Sequence, residues 1–545
     1  MTNKDEEMKA YLQALYSSAF GSPALGELNE LGGEQHATQK SPGTPATEQH
    51  ASDKAADAPI TIFASAPGRV ELAGNHTDHQ GGCTIAAALT VRAYALAVSN
   101  GSDTIRASME KFGDVSFKID SLEPREDERG TSLSLIRGMA AAYAQSGKEL
   151  RGFNMVTCSD IPVGQGISSS AAFEVLVGAV IHALCDFNAF TADTAAASAS
   201  EEPQSAQTAL VSASEEPQPI RALASDTLMS LALEAVNVER TYFGKPCGAQ
   251  DQLASAFGGV SLMNFAEETP HVQPIDIDLS ATGYAAFLVD SQADHSAFTD
   301  EYAGIPLNML AIARYFGAQK LEEISYGEFL EQLPQVREKC GDKAALAALH
   351  YFAETQRVKE QALALQNNDF STFLEGVRLS GASSAQYLQN VSPQLDGTGV
   401  SQPAMVILAL CTHLLDGAGL FDIISLEDET EMASSDHGSA AESSDLKETN
   451  DELAPPVATE SLVAEGRQSG ANRSLSGTGR RPSGADRRLS GAYRIHGGGF
   501  GGSILVFVPE EVATGFQTSV DALLGYDACM PISVDAAGVK VERLS

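Results

Sequence analysis

A glycine- and serine-rich stretch at residues 160–174 has the composition of a phosphate-binding loop. It contains Gly164, Gly166 and consecutive serines at 168–170, directly before an apolar helical pattern. The glycines permit a tight turn and a close approach of the backbone to a ligand, and the first turn of a helix offers N–H groups and a positive dipole end to an anion. A capped loop without a ligand has the same composition. Because the Lys-Ser/Thr ending of a P-loop is missing, any phosphate here would be held by backbone amides, serine hydroxyls and a metal ion.

Polar residues crowd a second glycine-rich stretch, residues 65–82, after an apolar strand pattern. They are Arg69, Asn75, His76, Thr77 and Asp78. Polar side chains at this density on a loop are typical of a binding site, although a polar turn that caps the strand would look the same.

Two further stretches carry groups that could take part in chemistry. Glu239 ends a helical pattern, and Asp251 follows it past Gly244 and Pro246, although both carboxylates could equally be exposed surface charges. Residues 497–502 are glycines except for one phenylalanine, and an apolar strand pattern follows. The entropic cost of so many glycines predicts a close approach of the backbone to another group.

Alternating strand and helix patterns surround these stretches and predict an α+β fold. The strands are predicted at residues 60–64, 91–98, 285–290 and 504–508, and the helices at 8–20, 133–144, 171–184, 227–238 and 343–365. Low-complexity segments at 32–59, 190–222 and 427–490 contain short polar repeats that cannot bury enough apolar surface to order themselves. We therefore interpret all three as insertions.

The overall charge excludes some classes of partner. With 72 acidic and 35 basic residues the formal net charge is −37, which argues against binding to nucleic acid or to an anionic membrane. The seven cysteines form no CxxC pair, as expected for reduced thiols in a cytosol. The sequence shows no apolar signal segment and no obvious membrane span. We expect a cytoplasmic monomer.

Together the motifs resemble those of the GHMP small-molecule kinases and, within them, of the galactokinase family. Galactokinases carry a signature close to Gly-Arg-Val-Asn-Leu-Ile-Gly-Glu-His-Thr-Asp-Tyr, and residues 68–79 read Gly-Arg-Val-Glu-Leu-Ala-Gly-Asn-His-Thr-Asp-His. Residues 162–171 match the second motif of the family, and residues 497–502 match its glycine-rich third motif.

The resemblance implies a fold and a domain division. An N-terminal helical segment at 1–31 would precede a ribosomal protein S5 domain 2-like domain at 60–275, and a ferredoxin-like domain at 276–545 would follow. The sugar and ATP would meet in a cleft between the two domains.

The resemblance also implies roles for individual residues, with ATP and Mg²⁺ as partners in the reaction. Asp251 would be the catalytic base and Arg69 its electrostatic partner, while Ser170 and Glu239 would hold Mg²⁺. The residues expected to contact the sugar are Asn75, His76, Thr77, Asp78, Gly248 and Tyr302. Those expected to contact ATP are Ser108, Gly164, Gln165, Gly166, Ile167, Ser168, Ser169 and Ser170.

Elementary chemistry agrees with these roles, because phosphoryl transfer mainly requires positioning and neutralisation of spread negative charge. Mg²⁺ prefers oxygen ligands such as a serine hydroxyl and a carboxylate. A carboxylate with a pKa of about 4 is a weak base. Asp251 would therefore orient the hydroxyl of the sugar and accept its proton late in the transfer.

Three functions remain open at this point. The first is phosphorylation of galactose at its anomeric hydroxyl. Asn75 replaces the glutamate of the family signature, which leaves open a kinase for N-acetylgalactosamine or another hexose. The third is a sensor that binds sugar and ATP without turnover. Because the serine-rich loop at residues 168–171 matches the family motif in full and Asp251 is present, the sequence favours catalysis over a sensor without turnover.

Overall fold

The computed structural model describes residues 3–21, 59–162, 164–190, 223–293, 299–391, 402–416, 491–500 and 502–544. The predicted insertions at 32–59, 190–222 and 427–490 lie almost wholly outside these residues. The helical pattern at the N-terminus is confirmed as α1, Asn3–Phe20. Its buried residues Leu12 and Tyr16 pack with Phe63 and Tyr94 of the adjoining sheet.

Within the described residues, the larger sheet has eight strands. They are β1 (Thr61–Ala73), β2 (Cys83–Ser99), β3 (Thr104–Met109), β4 (Gly113–Lys118), β5 (Phe153–Ser159), β6 (Val260–Asn264), β7 (His271–Ile275) and β12 (Lys540–Arg543). The main order is β12-β1-β2-β5-β3-β4, and β6 pairs with β2 and β7. The last strand of the described chain thus returns to the sheet that the first strand begins.

The smaller sheet has four strands in the described residues, in the order β11-β8-β10-β9. They are β8 (Tyr284–Asp290), β9 (Ala492–Ile495), β10 (Ser503–Pro509) and β11 (Cys529–Pro531). The central strand β10 is almost wholly buried, and its apolar run explains that position. All strands of this sheet follow residue 275, where the sequence predicts the domain boundary. β12 follows the same residue, yet it belongs to the larger sheet.

Helices cover both sheets and carry several of the predicted site residues. They are α2 (Ser132–Gln145), α3 (Ser169–Phe190), α4 (Ser225–Val238), α5 (Gln250–Phe257), α6 (Thr299–Tyr315), α7 (Tyr326–Glu331), α8 (Leu333–Cys340), α9 (Asp342–Gln366), α10 (Phe370–Ser383), α11 (Pro403–Asp416) and α12 (Ala513–Leu524). The strands and helices predicted from hydrophobic periodicity are therefore present, but β1 ends nine residues later and β2 begins eight residues earlier than predicted. The mixture of sheets and helices confirms the α+β class.

The polar stretch at 65–82 is only partly the loop that the sequence predicts. β1 continues to Ala73, so the first half of this stretch is strand, paired with β2. The register shifts between Pro67 and Arg69 and again between Glu71 and Ala73. Such irregularities re-aim side chains next to functional sites, which is where these residues lie.

One apolar helix segment, Ser169–Phe187 in α3, is long enough to cross a membrane by length and composition, which the sequence analysis did not recognise. In the structure 78% of that segment is buried. Residues such as Val175, Leu176 and Ala179 are fully buried in the main core. α3 is therefore the central core helix, and its first turn faces the site.

Candidate active site

The glycine- and serine-rich loop leads into α3 with the backbone geometry that its composition predicts. Gly164, Gly166 and Ser168 have φ values of 85°, 75° and 58°, and α3 begins at Ser169. The backbone conformation of Ser168 is the most strained of the three, because a residue with a side chain rarely adopts positive φ. Strain of this kind is retained where the surrounding contacts fix it.

Contacts from both sheets hold this loop. The backbone N–H of Arg69 on β1 donates to the carbonyl of Ile167 at 3.1 Å. The Ser503 hydroxyl on β10 donates to the carbonyl of Gln165 at 2.8 Å, and the Gln165 amide donates to Asp290 at 3.3 Å. The loop therefore joins the two sheets.

Arg69 and Asp251 form a bidentate ion pair beside this loop. The guanidinium donates from Nε to Asp251 Oδ1 at 2.7 Å and from an Nη atom to Oδ2 at 2.8 Å. Its other Nη donates to the carbonyl of Gly166 at 2.5 Å. The Ser168 hydroxyl also donates to Asp251. The carboxylate is thus fixed within hydrogen-bond reach of the residue that precedes α3.

These contacts set the charge of Asp251. Burial acts to raise the pKa of its carboxyl, but the charge and hydrogen bonds of Arg69 outweigh burial, and the pKa lies below its ordinary value. Asp251 is therefore ionised at neutral pH.

Glu239 and Ser170 are in contact at the N-terminal end of α3. The Ser170 hydroxyl donates to Glu239 Oε1 at 3.2 Å, and Lys245 Nζ lies 3.2 Å from the same oxygen. Gln252 donates to Glu239 Oε2 at 2.7 Å and to the buried carboxylate of Glu174 at 3.0 Å. Glu239 is the first residue of a π-helical turn, Glu239–Phe243, and such turns frequently occur at functional sites.

A hydroxyl and a carboxylate oxygen in contact suit a hard cation such as Mg²⁺. Among the residues that the structure describes, no group of three or more His, Cys, Asp or Glu side chains could hold a metal by itself. Magnesium in phosphoryl-transfer sites commonly takes its remaining ligands from phosphates and water. Ser170 and Glu239 fit that mode of binding.

Asp78 forms the opposite side of the site. Gly248 packs so closely on it that an added Cβ would lie 1.4 Å from Asp78 Oδ2, which explains glycine at position 248. Burial, and next the negative charge of Asp251, raises the pKa of Asp78 to about 6. Unlike Asp251, it has no guanidinium in direct contact among the described residues.

His76 and Tyr302 complete this side. His76 Nε2 lies 3.0 Å from the carbonyl of Gly498, and its ring centroid is 5.3 Å from that of Tyr302. Burial lowers the pKa of His76 to about 4, so the ring is neutral at neutral pH. Tyr302 lies against the backbone of Gly498, where a Cβ would come within 2.2 Å of the tyrosine ring. The predicted close approach to the third glycine-rich motif is thus explained at this glycine.

A polar cavity lies between these groups. The predicted site residues that line it are Arg69, His76, Asp78, Gly248, Asp251 and Tyr302. It also has lining residues that the sequence analysis did not assign to the site, namely Glu71, Lys245, Cys247, Gln250, Gly497 and Gly498. The period-two alternation of β1 was a usable signal for Glu71, because residues 69 and 71 share a face.

Three predicted contact residues lie elsewhere. Asn75 is fully buried behind the cavity wall. The hydroxyl of Thr77, also fully buried, donates to the carbonyls of Gly74 and Cys83 at 3.0 and 2.7 Å and so ties the turn together. The hydroxyl of Ser108 donates to Asp114 at 2.7 Å in the hairpin of β3 and β4. Within the described part of the chain, Ser108 makes no hydrogen bond to the loop at 164–170.

Two family models match the chain. The galactokinase galactose-binding signature matches residues 49–98, and the N-terminal domain of GHMP kinases matches residues 134–211. The matched ranges contain Arg69, Asp78 and the serine-rich loop.

Curated relatives and a solved structure agree with these models. A galactokinase of Actinobacillus pleuropneumoniae is 26% identical over 57% of this chain and 70% of its own length. One from Actinobacillus succinogenes is 26% identical over 62% of this chain and 77% of its own. The crystal structure of Lactococcus lactis galactokinase complexed with galactose superposes with a TM-score of 0.60 at 17% identity, covering 98% of this chain and 99% of that chain.

The fold is that of the GHMP kinases, and the chain carries a match to their N-terminal domain. Within that superfamily the chain is similar to galactokinases, since it matches their galactose-binding signature over residues 49–98 and is 26% identical to the two curated galactokinases above. The fold that the sequence motifs implied is thereby confirmed.

Proposed function

We propose that this protein transfers the γ-phosphoryl group of ATP to the anomeric hydroxyl of galactose, giving galactose 1-phosphate and ADP. One observation supports this above the others. The hydroxyl of Ser168, the residue directly before α3, donates to Asp251, so a phosphate at that helix end and a sugar in the cavity would meet at one carboxylate. The galactose-binding signature in the matched range favours galactose as the sugar.

Asp251 would orient the reacting hydroxyl of the sugar. Its lowered pKa keeps it ionised, and both of its oxygens are fixed by Arg69, so the carboxylate is held in one orientation. A carboxylate is a weak base, so proton transfer to it would follow the formation of the bond to phosphorus. Arg69 would stabilise the negative charge that develops on the oxygen.

The glycine and serine loop would hold the phosphates of ATP. The positive φ values at Gly164, Gly166 and Ser168 turn the backbone just before α3, whose first N–H groups and dipole favour an anion. Ser170 and Glu239 would hold Mg²⁺, which when bound neutralises phosphate charge. Lys245, next to Glu239, adds a cation on the same side.

We further propose that the protein acts as a monomer in the cytoplasm. All seven cysteines of the chain are free thiols, which suits a reducing compartment. Analytical ultracentrifugation tests the oligomeric state.

The proposed activity is tested by offering the full-length protein a panel of sugars with Mg-ATP and following ADP release. Galactose should give the highest kcat/KM, and phosphorus NMR should place the phosphate on the anomeric oxygen. ADP release with N-acetylgalactosamine but not with galactose would replace the sugar and keep the reaction. No sugar-dependent ADP release would refute the kinase activity.

A further inference from the structure

The position at which the family signature has glutamate cannot supply a carboxylate here. Asn75 occupies it, and its side-chain oxygen accepts from Asn390 at 2.9 Å and from Ser384 at 3.2 Å. Its amide nitrogen donates to the carbonyl of Gly497 and, at 3.4 Å, to Glu71. The side-chain amide of Asn75 therefore forms its hydrogen bonds with other protein groups, and it does not line the cavity.

A carboxylate stands instead four residues earlier, where the signature has asparagine. Glu71 lines the cavity. Its Oε1 accepts from the fully buried guanidinium of Arg494 at 2.8 Å, and its Oε2 accepts from Gln250 at 3.2 Å. Compared with the signature, the amide and the carboxylate have exchanged positions, and the carboxylate now belongs to β1.

Gln250 supplies a second and independent observation. Only 4% of this residue is exposed, and it lines the cavity immediately before Asp251 in the sequence. Its amide nitrogen is used by Glu71, while its Oε1 is buried and has no hydrogen-bond partner within the described residues. Buried acceptors are normally satisfied, so this oxygen indicates a donor that arrives with a ligand.

We propose that Glu71 and Gln250 form a hydroxyl-accepting subsite of the sugar cavity, in place of the glutamate that the signature has at position 75. This proposal rests on the proposed function. A carboxylate oxygen and an amide oxygen both require donors, so the subsite selects a neutral sugar with free hydroxyl groups at this wall. It disfavours a uronic acid, a sugar phosphate or an acetamido carbonyl at the same place, because each would present an acceptor to an acceptor.

The test is calorimetric binding of galactose and its 2-, 3-, 4- and 6-deoxy derivatives, without ATP, to the wild type and to Gln250→Met. Methionine has a similar length but no acceptor of comparable strength, and it leaves the ion pair of Glu71 with Arg494 in place. We expect galactose to bind about tenfold more weakly to the variant. One deoxy derivative, the one that lacks the recognised hydroxyl, should bind equally to both proteins.

The chain offers a matched control at Gln361 on α9. This glutamine is also buried, donates one hydrogen bond, to the carbonyl of Phe373 at 3.2 Å, and has an Oε1 without a partner among the described residues. Gln361→Met therefore makes the same chemical change outside the cavity and should leave sugar affinity unchanged. Glu71→Gln is the second site variant, and its thermal unfolding shows whether loss of the charge opposite Arg494 has disturbed the fold.

Each outcome separates the subsite from the proposed reaction. Equal weakening of galactose and all four deoxy sugars by Gln250→Met, or no weakening at all, would overturn the subsite while leaving the kinase activity intact. Selective loss in binding together with absence of sugar-dependent ADP release from the wild type would support the subsite and refute the reaction. A wild type that binds no galactose would overturn both.

Discussion

Asp251 and Asp78 are carboxylates of the same cavity, yet their surroundings shift their pKa values in opposite directions. Asp251 receives two hydrogen bonds from Arg69 and one from Ser168, and its pKa lies below the ordinary value. Asp78 is buried near the charge of Asp251 and has no guanidinium in contact among the described residues, and its pKa rises to about 6. Burial alone therefore does not determine the pKa of a carboxyl group in this cavity. The charged group that is hydrogen-bonded to it determines the direction of the shift.

This difference divides the cavity into two sides with separate tasks. The side of Asp251 adjoins the first turn of α3 and is suited to the reacting atoms. On the side of Asp78, His76 and Tyr302 are neutral at pH 6, and the carboxyl of Asp78 is about half protonated. Substitutions on the first side should act mainly on kcat and those on the second mainly on the KM for the sugar.

The largest effect is expected from Asp251→Asn. Loss of the carboxylate removes the acceptor for the proton of the sugar hydroxyl, so kcat should fall by about 10²- to 10⁴-fold while ATP binding persists. Steady-state kinetics and calorimetric ATP binding check this. Asp342→Asn is the matched control, since Asp342 also pairs with an arginine, Arg337 at 2.6 Å, but on the exposed surface. Near-normal turnover of Asp251→Asn would refute its assigned role.

Arg69→Gln should have the next largest effect. Without the cation the pKa of Asp251 rises, so the acid limb of the kcat/KM profile should move to higher pH. The loss at neutral pH should be about a hundredfold, comparable with removal of one donor that stabilises developing charge. Profiles between pH 4.5 and 8 measure the shift, with Arg337→Gln as the exposed counterpart. An unmoved acid limb would mean that Arg69 does not set the charge of Asp251.

How much of this arrangement could be predicted from sequence differs between the two sides. The serine-rich loop and α3 follow from composition and periodicity, because local spacing determines both. The pairing of Arg69 with Asp251 joins residues far apart in the chain, and only the resemblance to a family linked them. Burial of Asn75 depends on Ser384 and Asn390, which no local pattern connects to residue 75.

The larger sheet shows a similar limit to what sequence can predict. β12 is only four residues long, and its pairing with β1 over residues 540–543 carries no periodic signal of its own. The predicted strand ends at residue 64, and the glycine, proline and polar residues that follow it in β1 are unfavourable in strands. Pairing with β2 through two register shifts overrides those local preferences. That continuation places Glu71 at the cavity.

Asp78→Asn should produce a smaller change, confined to sugar binding. In the wild type Asp78 loses its proton near pH 6 and becomes a pure acceptor, so the KM for the sugar should fall as pH rises from 5 to 7. The asparagine variant should lack this dependence and have a KM about tenfold higher at pH 7. A KM that varies equally with pH in both proteins would assign the dependence to another group.

The raised pKa of Asp78 also makes the free energy of unfolding depend on pH, and Asp78→Asn should remove this dependence. Because the folded-state pKa of Asp78 is raised from 3.8 to about 6, the folded protein holds this proton more tightly than the unfolded chain. The resulting stabilisation is present below pH 4 and is lost as pH rises through about 6. Urea unfolding at pH 4.5 and pH 7 should therefore show a smaller decline in Asp78→Asn than in the wild type.

The smallest effect is expected at Ser108, which lies on neither side of the cavity. Its match to the family pattern predicts a nucleotide contact, whereas the structure gives its hydroxyl to Asp114 in the hairpin of β3 and β4. A hydroxyl used in this way contributes little to a distant ligand, so Ser108→Ala should change the KM for ATP by no more than about twofold. Ser170→Ala is the contrasting variant, because its hydroxyl meets Glu239 at the mouth of α3. A KM for ATP raised tenfold or more in Ser108→Ala would place the nucleotide against β3 and extend the site beyond the two sides described above.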